Sequence, residues 1–273
     1  MGVIKMANYI KEQYSPLELV NNFNEILTLA NNDFTNVSLL AKVNDIAEII
    51  IGITSKMYDE TYNEYRNVRG FEIEGINKKG WIILEKYIDE CISSNKTNVK
   101  ILDVGASHGR DVIYAQTLGY EAIGVDNCEG FIKILSNLCS MGKLKPNSYK
   151  KCEMRNLDFS DSTFDVVRHN ATLLHMPLIG LGYTVDQAVS EAFRVLKRNG
   201  LLYILIKSKL NSALEVHDTE EGLGGRIFQY FSRDTITDVL VRNGFAVVFA
   251  SDEVTTRGHI VIDWIILIAQ KNR

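Results

Sequence analysis

The chain has 273 residues, of which 46% are hydrophobic and 23% charged, with 3 prolines and 19 glycines. That is ordinary globular composition, and it excludes a collagen-like or linker-dominated chain. With 30 Lys and Arg against 34 Asp and Glu, the net charge of −4 gives no overall pull toward polyanions, which excludes a basic nucleic-acid coat and leaves only a local basic groove open.

The first residues, MGVIKMANYIKEQYSP, hold no apolar run of signal-peptide length and no small-residue cleavage site. Ser15-Pro16-Leu17-Glu18 then reads as a capping box with proline at the first helical position, and Leu17, Val20, Phe23 and Leu27 follow at helical spacing. Leu40, Val43, Ala47 and Ile50 repeat that spacing, as do Trp81, Leu84, Ile88 and Cys91. Between them the run Met57 to Arg66 sets Tyr58, Tyr62 and Tyr65 along a helix. Residues 1–96 therefore read as a helical N-terminal extension, and residues 97–273 as a second unit with a different pattern.

From residue 97, short apolar runs ended by glycine or aspartate alternate with longer helical stretches, the signature of βαβ units. Strands are expected at Val99 to Val104, Tyr120 to Val125, Phe164 to Val167, Leu201 to Ile206, Phe245 to Ala250 and Ile260 to Ala269, with a weaker one at Tyr149 to Met154. Helices are expected at Gly109 to Leu118, Glu129 to Cys139, Val185 to Lys197 and Arg233 to Asn243. The fold class is α/β, an open, mostly parallel sheet with helices on both faces. GLGGR, Gly222 to Arg226, is either a substrate-binding insertion or a flexible connection.

The apolar stretches Ile46 to Ile53 and Ile260 to Ala269 are interrupted by Glu48 and Asp263 and are far shorter than the roughly 20 residues of a membrane span. Cys91, Cys128, Cys139 and Cys152 form no CxxC pair and no zinc-like cluster, so no metal site is expected. Free thiols in a reducing cytoplasm are the plain expectation.

The segment ILDVGASHGRD, Ile101 to Asp111, carries the chemistry: an apolar strand, then Gly105 and Gly109, then a helix. Glycines there let a ligand approach the backbone at the carboxyl end of a strand. Asp126 ends the next strand, 21 residues after Gly105, where a ribose diol would be gripped, with Asn127 beside it. Turn, helix and strand-end acid point to an adenosine-bearing cofactor. A dinucleotide fingerprint would need glycine at the positions held by Ser107 and Arg110, so a pyrophosphate is disfavoured, and no Gly-Lys-Ser or Gly-Lys-Thr makes a P-loop.

These residues resemble the first motif of the class I S-adenosylmethionine-dependent methyltransferases, an acid two before a glycine and then alternating glycines, filled here by Asp103, Gly105, Ser107 and Gly109. Ser107 departs from the usual glycine, and is accommodated if its backbone angle is ordinary. Val125-Asp126 is similar to the second motif, Glu153-Met154 to the place where an acid and the next N–H read adenine, and DFSDSTFDVV to the lead into the fourth strand. NATLLHM, EAFRVLKRNGLLYILIK, FSRDTITDVLVRNGF and DWIILIAQK extend the resemblance over about residues 78 to 271.

The resemblance implies a seven-stranded Rossmann-like sheet, S-adenosyl-L-methionine as cofactor, and methyl transfer by direct displacement without metal or covalent intermediate. It implies cofactor contacts from Asp103, Gly105, Ser107, Gly109, Arg110, Asp126, Asn127, Glu153, Met154 and Asn170, and from Tyr65 on a tyrosine-bearing lid helix. His169 and His175, just beyond the fourth strand, are the candidate catalytic bases, since an unperturbed pKa of about 6.5 suits proton removal near neutrality. The favoured acceptor is a small molecule with an O or N nucleophile. An RNA acceptor would call for clustered Lys143, Lys145, Lys150, Lys151, Lys197 and Arg198, and a silent regulatory module for a plugged pocket.

Overall fold

The structure, a computed structural model, describes residues 15–32, 37–69, 76–178, 184–217, 226–257 and 259–272. Helix α1 (Pro16–Asn32) starts at the expected capping box. Ser15 donates to Glu18 Oε2 from its backbone N at 2.6 Å and from Oγ at 2.8 Å, and the Glu18 backbone N donates to Ser15 Oγ at 3.3 Å. The next two helical patterns fuse into one 33-residue helix, α2 (Val37–Arg69). Its Val43, Ala47 and Ile50 pack on Val20, Phe23 and Ala30 of α1 and on Leu214 and Ile227 from an outlying hairpin. Helix α3 (Lys78–Cys91) is capped by Asn77, whose side chain accepts from Gly80 N, and buries Trp81, Leu84 and Ile88 against the sheet.

The sheet contains β1 (Lys100–Val104), β2 (Glu121–Asp126), β3 (Tyr149–Lys151), β4 (Phe164–Asn170), β5 (Leu196–Lys207), β8 (Phe245–Arg257) and β9 (Ile260–Lys271) in the order β3-β2-β1-β4-β5-β9-β8. Only β9 runs against its neighbours β5 and β8. The chain moves outward from β1 through β2 to β3, then returns to the other side of β1 with β4, so the order reverses between β1 and β4. Crevices at such reversals, outside the carboxyl ends of the strands, are where open α/β sheets bind ligands. Helices α4 (Arg110–Thr117), α5 (Glu129–Ser140), α6 (Val185–Val195) and α7 (Arg233–Arg242) make the connections.

Alternation along the strands divides the core into two layers. Ile101, Val166, Leu201 and Tyr203 face α3, α4 and α5, whereas Leu102, Val167, Leu202 and Ile204 face α6 and α7. This is the expected seven-stranded, mostly parallel Rossmann-like sheet. It differs in detail: β3 stops at Lys151 instead of Met154, β4 runs on to Asn170 instead of ending at Val167, and β5 begins directly where α6 stops. The hairpin β6 (Ala213–His217) and β7 (Arg226–Tyr230) was not anticipated. Gly222 to Gly225 lie outside the described residues, while Arg226 opens β7. Among the described residues no helix is long and apolar enough to cross a membrane, no group of three or more His, Cys, Asp or Glu suits a metal, and all four cysteines are free.

Candidate active site

The turn between β1 and α4 takes its shape from backbone angles that few residues adopt. Gly105 has φ +74° and Gly109, the N-cap of α4, has φ +81°. A Cβ on Gly105 would overlap Thr172, whose Oγ1 is fixed by donating to Val104 O at 2.9 Å. Ser107 does not have the ordinary angle expected of it: its φ is +51°. Two bonds hold it there. Its backbone N donates to Asp126 Oδ2 at 2.8 Å, and its Oγ lies 3.0 Å from His108 Nδ1.

Asp126 therefore clamps the turn as well as facing the ligand space. Its second oxygen accepts from Cys128 N at 2.9 Å. Burial is the largest influence on its proton affinity and pushes the pKa from 3.8 up to about 6, against the pull of the backbone N–H groups.

A cavity of about 280 Å³ opens at this turn. Asp103, Gly105, Ser107, Arg110, Asp126, Asn127, Met154, Asn170 and His175, all expected from the sequence, line it. Gly109 shapes the turn without lining the wall. Helix α2 contributes Ile51, Thr54, Ser55 and Tyr58 to the lining. Asp59 fixes that helix by accepting from Glu129 N at 2.7 Å at the start of α5, and Tyr62 packs its ring on Gly130 and Phe131. The Tyr65 side chain lies outside the described residues.

Three expectations need correction. His169 is inside β4, fully buried, with neither ring nitrogen hydrogen-bonded, and does not reach the cavity. Burial drives its pKa down to about 3. Glu153 points away from the cavity toward Arg155, 3.2 Å away, which Glu48 of α2 also holds at 2.6 Å. The wall there is made by Cys152 and Met154 on either side of it.

His175 does face the cavity, 3.2 Å through Nε2 from the Tyr58 hydroxyl, with Tyr58 set edge-on to its ring. Burial first, then the Arg226 and Lys207 cations, bring its pKa to about 3. It is a neutral imidazole at physiological pH, and the basicity of an ordinary histidine does not apply to it.

Sequence reasoning missed two charged residues beneath the cavity. Asp111 lines the wall, and Arg168, buried in β4, donates to Asp103 Oδ1 at 2.8 Å and to Asp111 Oδ1 at 3.0 Å. The available signal was Arg168 itself, since a guanidinium in an apolar strand requires acidic partners. Burial raises the Asp103 pKa while Arg168 opposes the rise.

Residues 102–204, from β1 to β5, match the family model of a methyltransferase domain. The chain carries a class I S-adenosylmethionine-dependent methyltransferase domain. The methyltransferase domain is similar to the malonyl-[acyl-carrier protein] O-methyltransferase of Geobacter sulfurreducens, 26% identical over 180 residues, or 63% of this chain and 64% of that protein. It is also 32% identical over 105 residues to an uncharacterized protein of Haemophilus influenzae, covering 38% of this chain and 40% of the relative. The chain thus spans less than two thirds of the length of these curated relatives. Among solved structures, the Burkholderia thailandensis 1,6-didemethyltoxoflavin-N1-methyltransferase, with its substrate and S-adenosylhomocysteine bound, superposes with a TM-score of 0.61. The identity is 17%, over 80% of this chain and 87% of that one.

Proposed function

We propose that the protein is an S-adenosyl-L-methionine-dependent methyltransferase acting on a small-molecule acceptor through an O or N nucleophile. The observation that carries this reading is a single cavity lined both by the turn after Asp103 with Asp126 and by the aromatic residues Tyr58, Phe131, His175 and Trp264. The residues present suit the cofactor: the glycine turn has no Cβ in the way, Asp126 stands at the strand end for a ribose, and Asp103 with Asn170 offers acceptor oxygens. When bound, the cofactor supplies a sulfonium methyl group that an acceptor displaces directly.

The chain's own part is positioning and exclusion of water. Holding reactants in register supplies up to roughly 7 to 11 kcal/mol of a barrier, so the absence of a strongly basic side chain is no obstacle for an amine or an already ionised acceptor. For a hydroxyl acceptor, His175, whose pKa of about 3 makes it too weak a base to take the proton, is placed with Tyr58 as a hydrogen-bond partner that orients the nucleophile. The cavity of about 280 Å³ is not plugged by side chains, which favours an enzyme over a silent module. Three of the lysines that an RNA site would use are engaged in ion pairs, Lys150 with Asp158, Lys151 with Glu129 and Lys197 with Asp165, which favours a metabolite. The proposed acceptor end also carries aromatic side chains, as small-molecule sites commonly do.

Titration calorimetry tests the cofactor: S-adenosylmethionine and S-adenosylhomocysteine are expected to bind, and NAD is not. Equal or tighter binding of NAD refutes the reading. Incubation of the protein with methyl-labelled cofactor and fractionated small-molecule or RNA pools then reads which class takes up label.

A further inference from the structure

Arg168 sits in the middle of β4 with 1% of its surface exposed. Its guanidinium is permanently charged, and it lies 4.1 Å from the Trp81 ring centroid and 5.1 Å from that of Tyr203. Two acids meet it, Asp103 from β1 and Asp111 from α4. The Asp111 oxygen that accepts from Arg168 also accepts from Trp81 Nε1 at 2.7 Å, and its other oxygen accepts from Asn170 Nδ2 at 3.3 Å. Asp111 is thus held on three sides. Asp103 has one oxygen on Arg168, and among the described residues the other takes no hydrogen bond. Asn170 Oδ1 is buried and has no partner either.

We infer that Arg168 is a positioning residue, which holds Asp103 and Asp111 side by side as a wall with one net negative charge and so prepares the seat of the ammonium group at the amino-acid end of the cofactor. The inference rests on the cofactor reading proposed above. Two carboxylates against one guanidinium do not cancel, and Asp103, Asp111 and Asn170 all line the cavity. A buried ion cluster is a poor device for stability, because apolar residues of the same volume commonly do as well or better. An odd charge beside an unused carboxylate oxygen and an unused amide oxygen is explained by a ligand that brings one positive charge and several N–H donors. An ammonium group does both.

The seat works only while Asp103 is ionised. The groups acting on it are Asp111 from α4, Asp126 from β2, Arg168 from β4 and Tyr203 from β5. Of these, Arg168 favours the anion, while Asp111 and Asp126 oppose it. Removing Arg168 and removing Asp111 should therefore shift the ionisation of Asp103 in opposite directions.

The test is calorimetric affinity for S-adenosylhomocysteine between pH 5.5 and 8.5, on the full chain and on the Arg168→Met, Arg168→Lys and Asp111→Asn variants. 5′-Methylthioadenosine, which lacks the amino-acid end, is the control ligand. Arg168→Met is expected to move the pH of half-maximal affinity upward by about one unit or more, the usual scale for loss of an adjacent opposite charge. Arg168→Lys reverses most of that shift, Asp111→Asn moves the midpoint downward, and at each pH the methylthioadenosine affinity of every variant stays within about twofold of the unmodified protein's. A uniform loss of affinity at every pH, or a parallel loss for methylthioadenosine, overturns the inference. If Arg168→Met does not fold, the sign for Asp111→Asn decides alone, and an upward or absent shift overturns it. Failure of the unmodified protein to bind S-adenosylhomocysteine at any pH overturns the cofactor reading itself, and this inference with it.

Discussion

Asp126 is asked to do two things, to hold the glycine turn and to face the ligand, and the two respond differently to its replacement by asparagine. A carboxyl whose pKa is raised from 3.8 to about 6 on burial binds its proton more tightly in the folded than in the unfolded chain. The stability this group contributes is complete below pH ~4 and is lost as the pH rises through about 6. At neutral pH its anion works against folding by on the order of 3 kcal/mol, from 1.36 kcal/mol for each of about two pH units. Against this, Asn keeps one acceptor and gives up one of the two backbone bonds, from Ser107 N or Cys128 N, each worth about 1.5 to 3 kcal/mol as a bond to a charged group.

The two effects nearly offset. Asp126→Asn is expected to lie within about 1.5 kcal/mol of the wild type in urea unfolding at pH 7.5, and to lack the gain in stability that the wild type draws from this group between pH 7.5 and 5. Affinity for S-adenosylhomocysteine is expected to fall by about 1.5 to 3 kcal/mol, tenfold to somewhat over a hundredfold. Asp126→Ala, which leaves both N–H groups without an acceptor, should be the less stable of the two by about 1 to 3 kcal/mol. An asparagine variant that binds normally but is destabilised by more than about 3 kcal/mol would refute the reasoning and make Asp126 a clamp on the turn alone.

Gly105→Ala should be more damaging than Gly109→Ala, because the new methyl on Gly105 meets a Thr172 side chain pinned to Val104 O, whereas that on Gly109 meets the free end of Leu135 at 2.5 Å. Each also forces a positive φ on alanine, about 1 to 2 kcal/mol, so thermal unfolding should rank wild type above G109A above G105A. For a hydroxyl acceptor, His175→Gln should lower turnover at least tenfold with unchanged S-adenosylhomocysteine affinity, and no limb near pH 6.5 in the wild-type rate profile should be traceable to His175, given its pKa of about 3. Cofactor binding should slow hydrogen exchange along Tyr58 to Arg66, and Asp59→Ala, which uncaps α5, should weaken that protection and remove about 1 kcal/mol of stability; unchanged exchange with cofactor and acceptor bound would leave α2 a static wall.

The strands and the glycine turn were legible because they rest on local rules: period-two apolar runs, and glycines where φ is positive. The errors share a physical cause, partners far away in sequence. The apolar run that predicts the fourth strand ends at Val167, and Arg168, His169 and Asn170 after it are polar. Asp103 and Asp111, 65 and 57 residues earlier, neutralise the arginine and allow β4 to continue, which buries His169 instead of delivering it to the site. Glu153 failed for a local reason. Cys152 and Met154 line the cavity, and the residue between two neighbours on one side points to the other, toward Arg155. The β6–β7 hairpin was unreadable because its strands are only 5 residues each, too short for their alternation to stand out.

The region matched to the methyltransferase domain, residues 102–204, contains the glycine turn and His175 but none of α2 and none of β9. The end of the cavity proposed for the acceptor draws Ile51, Thr54 and Tyr58 from α2 and Trp264 from β9 besides Phe131 and His175, so much of what would choose the acceptor lies outside the shared part. Thr54 is the informative residue there. It is 5% exposed, and its hydroxyl has no hydrogen-bond partner among the described residues. A buried hydroxyl left unsatisfied costs about 1 to 3 kcal/mol, whereas an apolar group of the same shape does not carry that cost. Thr54→Val is therefore expected to raise stability by about 1 kcal/mol in urea unfolding. S-adenosylhomocysteine should bind to it as to the wild type, because Thr54 comes from α2 and belongs neither to the glycine turn nor to the Asp126 strand end. Acceptor affinity should fall if the hydroxyl is kept for a polar group of the acceptor, on the scale of one neutral hydrogen bond, about three- to tenfold. A valine variant less stable than wild type by more than about 1 kcal/mol would show that Thr54 is satisfied within the fold and has no such part in choosing the acceptor.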